Sequence, residues 1–209
     1  MKVLIADDHE VVRQGLKQIL TDEFGKVTFG EASTASEALE QVWNGKWDLV
    51  LLDINMPGRN GLEALVELKK ERPEMPVLML SMFGETEYAV RTLKSGAAGF
   101  INKASVGKEL VEAVKKALAG GRYITPAVAE RLAADLERGQ AGQRHDQLSD
   151  REFEVMKRIA AGASVKEIAA HLSLGEKTVF TYRARLLEKL ELKSDVDVAR
   201  YALRHRLVE

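Results

Sequence analysis

The chain has no cysteine in its 209 residues, which excludes disulfides, thiolate metal ligands and cysteine nucleophiles and fits a reducing compartment. It has no stretch approaching the roughly 20 apolar residues that a bilayer-crossing helix needs. The opening run Met1 to Ala6 meets Asp7 too early to act as a secretion signal. A cytoplasmic protein with no membrane partner is expected. No charge of one sign dominates either: 31 basic against 32 acidic side chains leave a net charge of −1. Any contact with nucleic acid must therefore come from a local patch rather than a bulk field. With 45% hydrophobic residues, a chain of this length can bury a sizeable core and divide into two domains.

Over residues 1–121, short apolar runs alternate with amphipathic stretches. The runs are Val3 to Ala6, Val27 to Ala32, Leu49 to Leu52, Val77 to Leu80 and Gly99 to Ile101. Helical spacing between them, as in Val12, Leu16, Ile19 and Leu20 or Leu110, Ala113, Val114 and Ala117, gives one apolar face per segment. Five such units predict an α/β domain, a doubly wound five-stranded parallel sheet. Residues 122–145 read as a helical linker, with a proline-started helix from Pro126 followed by the polar, glycine-containing Gly139 to His145. Residues 146–209 carry no strand signal and predict an all-α domain of four helices. A capping box at Ser149 and Glu152 opens the first and Ser164 caps the second. A third runs from about Glu176 to Leu190 and a fourth from about Ser194 to Arg206. The short helix, glycine-containing turn and longer basic helix make a helix-turn-helix pattern.

The chemistry is concentrated at the ends of the predicted strands. Asp7 and Asp8 follow the first, Asp53 the third and Lys103 the fifth, while Ser81 ends the fourth. Parallel strands bring all of these to one sheet edge, where open α/β folds bind ligands. A carboxylate can attack phosphorus and carry a phosphoryl group as a mixed anhydride. Mg2+, a hard cation with oxygen ligands, would offset the charge beside it. Asp8, Asp53 and the backbone carbonyl of Asn55 would ligate it, with Asp7 acting through water. Lys103 and the Ser81 hydroxyl would hold the remaining phosphoryl oxygens.

Asp7-Asp8, the Asp53-x-x-Met56-Pro57-x-x-x-Gly61 loop, Ser81 and Gly99-Phe100-x-x-Lys103 resemble the receiver domain of two-component response regulators. The resemblance implies a flavodoxin-like fold, with Asp53 as phosphoacceptor charged by a sensor histidine kinase or a small phosphodonor. It also implies that Ser81 and Phe100 are a switch pair: the hydroxyl moves toward the phosphoryl group and the ring turns inward. Two positions depart from the common pattern. Lys103 is followed by Ala104 where many receivers have proline, so no cis-proline turn fixes the lysine. Met82 follows Ser81 where many receivers carry a small residue, a thioether placed to shield the anhydride from water.

Residues 148–207 resemble the LuxR-type helix-turn-helix of the NarL/FixJ family, through Leu148-Ser149-x-Arg151-Glu152, Lys166-Glu167-Ile168-Ala169, Lys177-Thr178-Val179 and Leu186-x-x-Lys189-Leu190. The third helix carries Lys177, Arg183, Arg185 and Lys189, cations suited to phosphates of double-stranded DNA. Many relatives have a basic residue after the Thr-Val pair; here Phe180 stands there. Phe180, Thr181 and Ala184 then meet base edges with largely apolar surface, which suits thymine methyl groups. The family resemblance further implies that the fourth helix pairs two copies over a two-fold site, giving a homodimer once phosphorylated.

The reading that follows is a phosphorylation-switched transcription regulator, and not an enzyme beyond self-transfer to Asp53 and slow autodephosphorylation. A phosphatase with an aspartyl nucleophile would need a second carboxylate two residues on; Asn55 occupies that position and is not a general acid. A module that binds protein partners without touching DNA is the other alternative, and duplex binding by the carboxy-terminal part discriminates it.

Overall fold

The computed structural model describes residues 1–82, 86–137, 143–205 and 207–208. Contacts divide the chain into two compact units, Met1–Ala134 and Asp135–Glu209. The first holds β1 (Lys2–Ala6), α1 (Glu10–Phe24), β2 (Thr28–Ala32), α2 (Ala35–Asn44), β3 (Leu49–Asp53), α3 (Gly61–Glu71), β4 (Val77–Ser81), α4 (Thr86–Lys94), β5 (Gly99–Asn102) and α5 (Val106–Leu118). Next comes α6 (Pro126–Glu137), which runs across the division. Of the glycine-containing segment predicted as a linker, residues 139–142 lie outside the described residues.

All four strand pairings are parallel and the order is β2-β1-β3-β4-β5, the doubly wound sheet that the alternation predicts. The strands are apolar because of where they sit. Every residue of β3 and β4 is buried, as a sheet covered by helices on both faces requires. β2, at one edge, buries only Ala32 fully. One face of the sheet closes over Leu16 and Leu20 of α1 and Leu110, Ala113, Val114 and Ala117 of α5, packed on Val3, Ile5, Leu49, Leu51, Leu78, Leu80 and Ile101. The order reverses between β1 and β3, so the crevice at their carboxyl ends is the topological switch point of the sheet.

The loop after β3 is held by backbone contacts that tolerate no side chain at Gly61. The Gly61 N–H donates to the Ile54 carbonyl at 2.9 Å. A Cβ built on Gly61 would lie 1.9 Å from the carbonyl oxygen of Asp53. The glycine thus lets α3 start directly against the strand that carries Asp53. Buried Asn60 caps the same helix, its Oδ1 accepting from the Leu62 N–H at 2.7 Å.

The second unit contains a 3-10 turn (Arg144–Gln147), α7 (Asp150–Ala160), α8 (Val165–His171), α9 (Glu176–Leu190) and α10 (Asp195–Arg204). Capping boxes at Ser149/Glu152 and Ser164/Glu167 start α7 and α8. Phe153, Val155, Met156, Ile168, Val179, Leu186, Leu190, Val198 and Ala202 form its core. The turn from α8 to α9 passes through Ser173 at φ 53°, a left-handed residue, before Gly175 leads into α9. The predicted fourth helix extended to Arg206, which lies outside the described residues. Among the described residues, no helix is long and apolar enough to cross a membrane.

Candidate functional site

Asp7, Asp53, Ser81 and Lys103 all arrive at the carboxyl edge of the sheet, each at or just beyond a strand end. Asp53 is the last residue of β3 and is 1% exposed; Ser81 is the last of β4 and also 1% exposed. Asp7 follows β1, fully buried, its N–H donating to the Ala32 carbonyl at 3.1 Å. Lys103 follows β5, and its Nζ sits 2.6 Å from Asp7 Oδ2 and 2.8 Å from Asp53 Oδ2. One ammonium thus bridges two buried carboxylates.

The lysine reaches that place although every peptide bond among the described residues is trans. Its N–H donates to the Ser81 carbonyl at 2.7 Å, and the Ala104 N–H donates to Asn102 Oδ1 at 2.9 Å. These two bonds fix the loop at the position where proline is common in receivers.

The charges do not balance. Three carboxylates face one lysine, and burial, partly countered by Lys103 and reinforced by Asp7, holds the Asp53 carboxyl above the usual carboxylate range. Asp53 Oδ1 is buried with no hydrogen-bond partner. Ligand atoms of Asp7, Asp8, His9 and Asp53 all lie within 4.8 Å of one another. Buried unpartnered oxygen, excess negative charge and convergent carboxylates fit a divalent cation. Asn55, half-buried, follows Asp53 by two residues on the loop.

His9 is a member of this cluster that the sequence reading did not single out. Its Nδ1 lies 2.7 Å from Asp8 Oδ1 and 3.3 Å from Asp7 Oδ1. Arg13 was missed as well: Nη1 donates to the Asp7 carbonyl at 2.8 Å while Nε pairs with Glu31 at 2.9 Å, steadying the loop from below. His9 is the N-cap of α1 and Arg13 lies four residues further on, and that spacing after an Asp-Asp pair was the available signal.

Phe100, expected to act with Ser81 as a switch pair, and Met82, which follows Ser81, have distinct settings. Phe100, on β5, is buried, at 8% exposure. Met82 is 62% exposed and stands at the rim of the site with its thioether in solvent.

In the second unit, Lys177, Thr178, Phe180, Thr181, Ala184 and Arg185 are all exposed on α9. Positions 177, 180, 181 and 184 follow helical spacing and share one face, while Val179, Leu186 and Leu190 point into the core. Phe180 is 53% exposed, a large apolar side chain at the centre of that exposed face. Lys166, on α8, is exposed beside it in sequence order of the motif.

The other two predicted contacts are placed differently. Arg183 Nε donates to Asp195 Oδ1 of α10 at 2.7 Å. Lys189 turns inward: its Nζ donates to Glu152 Oε2 at 2.6 Å and to the Gln147 carbonyl at 3.2 Å. Burial alone would raise the Glu152 carboxyl, but bonds from Lys189 and Ser149 outweigh it and hold the group below its ordinary range. Lys189 therefore ties α9 to the start of α7. On α10, the apolar stripe splits: Val198 and Ala202 fill the core, while Val196 and Leu203 stay 67% and 57% exposed.

A switch-point crevice lined by carboxylates and one lysine, followed by a helix-turn-helix bundle, defines a DNA-binding transcriptional response regulator. Comparison with known proteins agrees along the chain. Residues 3–115 match the response regulator receiver domain, and residues 146–202 match the luxR family of bacterial regulatory proteins. The chain belongs to the two-component response regulators of the NarL/FixJ type. It is 38% identical to the response regulator GacA of Pseudomonas aeruginosa, over all of this chain and 98% of that one. With the response regulator UvrY of Escherichia coli it shares 35%, over 99% and 95%. Among solved structures, ChrA of a haem-sensing two-component system is 30% identical with a TM-score of 0.51, covering 99% of this chain and 98% of that one. RcsB of Salmonella enterica serovar Typhimurium, bound to the rprA promoter with a phosphomimetic, is 24% identical with a TM-score of 0.61, over 96% and 98%, a likeness of fold.

Proposed function

We propose that Asp53 accepts a phosphoryl group from a histidine kinase or a small phosphodonor, and that this event controls how the chain engages a two-fold DNA site as a homodimer. The convergence of Asp7, Asp8, Asp53 and Lys103, with one Asp53 oxygen left unpartnered, carries the reading. A carboxylate oxygen of Asp53 attacks phosphorus, the bond to the donor nitrogen or oxygen breaks, and the departing group keeps the electron pair and takes up a proton. Lys103 then moves from Asp53 to a phosphoryl oxygen while staying within reach of Asp7, and the Ser81 hydroxyl donates to another. Asp8, Asp53 and the Asn55 carbonyl would hold Mg2+, which neutralises phosphoryl charge when bound. No group at the Asn55 position can act as general acid toward a substrate, so the chemistry is self-transfer rather than turnover. A cytoplasmic site of action goes with this reading.

Labelling intact protein with phosphoramidate in Mg2+ tests it. Label that survives mild acid but is lost on alkaline or hydroxylamine treatment is expected for the wild type, with no label in Asp53→Ala. Selection of bound sequences from random duplexes, with and without phosphodonor, then reports whether DNA engagement follows the label. An unlabelled wild type overturns the proposal.

A further inference from the structure

We propose that His9 is a ligand of the cation site, and that its imidazole makes an otherwise all-oxygen pocket favour a transition-metal dication such as Mn2+ over Mg2+. This rests on the ion-site reading above and adds to it a residue and a class of ion.

The first observation is geometric. Ligands about 2.1 Å from an ion lie about 3 Å apart on an octahedral edge and about 4.2 Å apart across it. His9 Nδ1 and Asp8 Oδ1, at 2.7 Å, already have the separation of such an edge. The ligand atoms of Asp8, His9 and Asp53 also lie within 4.8 Å of one another, so gathering them round one ion needs only small side-chain movements.

The second concerns why a histidine occupies this position. His9 is the N-cap of α1, where Ser, Thr, Asp or Asn would bond the exposed N–H groups, yet its side chain makes no cap bond. Its backbone does the local work instead: the His9 carbonyl accepts from the Val12 and Arg13 N–H groups at 3.1 and 3.2 Å, and its N–H donates to Asp7 Oδ1 at 2.9 Å. Helix initiation thus makes no use of the imidazole, whose Nδ1 instead faces the carboxylates, 3.3 Å from Asp7 Oδ1 and 2.7 Å from Asp8 Oδ1. At 65% exposure the side chain also turns toward an ion without disturbing packing.

The third observation is independent of the acidic cluster as such. Asp53, 1% exposed, aims a buried oxygen with no hydrogen-bond partner into the same space. An ion there satisfies it, while Lys103 occupies the other oxygen.

Imidazole nitrogen suits Mn2+, Co2+ or Ni2+ better than Mg2+, which prefers oxygen and keeps its waters. Removing the nitrogen should therefore cost the transition ion and spare Mg2+. The experiment uses the intact chain, Mn2+ or Mg2+ alone, and no phosphodonor. Electron spin-echo modulation of bound Mn2+ should show 14N coupling in the wild type and lose it in both His9→Ala and His9→Gln; glutamine keeps a polar side chain beside the carboxylates but offers no imidazole nitrogen as ligand. Calorimetric affinity for Mn2+ should fall at least about tenfold in His9→Ala, and that for Mg2+ should change less than about twofold. Mn2+ bound in an Asp8-dependent manner without nitrogen coupling, or equal losses for both ions, overturns the role of His9. If neither ion binds the wild type, or Asp8→Ala leaves binding unaltered, the ion site itself is wrong and this proposal falls with it.

Discussion

Replacing Lys189 by alanine separates a structural cation from a DNA-contacting one. The Glu152 side chain is 3% exposed and its Oε2 accepts from Lys189 and from the Ser149 N–H. Removing the partner of a fully buried ion pair costs about 3–5 kcal/mol. Lys189 itself is 38% exposed, so water screens the pair and the cost falls to about 2 kcal/mol. Because the chain has two units, stability is best read from hydrogen exchange of amides in α7 and α9 rather than from one global midpoint. The double mutant with Glu152→Gln should recover most of the loss. The Glu152 carboxyl is held below its ordinary range, so the contribution is complete above the unfolded value and disappears as pH falls through the folded one. The gap between wild type and Lys189→Ala is therefore open at neutral pH and closes in acid. A phosphate contact predicts something else: the slope of log affinity against log salt would drop by about 0.9. The structure predicts an unchanged slope. A reduced slope with unaltered exchange rates would refute the assignment of Lys189 to the fold.

Four further outcomes follow from other parts of the molecule. Asp53→Asn should stabilise the receiver unit at pH 7, raising its melting temperature by roughly 3 °C; since burial raises the Asp53 carboxyl, the gain is absent below its unfolded pKa and full above its folded one, which calorimetry across pH reads directly. Gly61→Ala should cost at least about 2 kcal/mol and slow labelling of Asp53, because the new methyl meets the Asp53 carbonyl and the strand end has to shift. Met82→Ala should shorten the lifetime of phosphorylated Asp53 if the exposed thioether folds over the anhydride, and an unchanged decay rate removes that role. Phe180→Ala should cut binding to selected sites more than to random duplex, as titrations on both report; equal losses count against base contact by the ring.

What could be read from the chain was whatever depended on local pattern. Largely apolar runs of three to six residues marked every strand, and helix 176–190 came out at its observed bounds because Gly175 and the Val179, Leu186, Leu190 spacing delimit it locally. The carboxylate-lined edge was legible because parallel topology alone collects residues at strand ends. The edge strand β2 shows the limit of apolar runs. It was read from Val27, but pairing begins at Thr28, since a strand with one open side needs less apolar surface. Long-range pairs were not legible. Lys189 and Glu152 are 37 residues apart, and each carries a motif explanation of its own, basic recognition helix and capping box, that hides their meeting. His9 was overlooked since an N-cap histidine looks like ordinary surface until its ring is seen facing Asp8.

The lysine shared by Asp7 and Asp53 has a consequence for when the receiver responds. With Asp8 nearby, three carboxylates against one ammonium leave two surplus negative charges in a pocket whose two deepest members are at most 1% exposed. An incoming phosphoryl group brings about two more. Anionic donors should be repelled from such a pocket until counter-charge has entered it, so labelling by a phosphodonor is expected to require both the donor and free divalent cation, the behaviour of a coincidence detector.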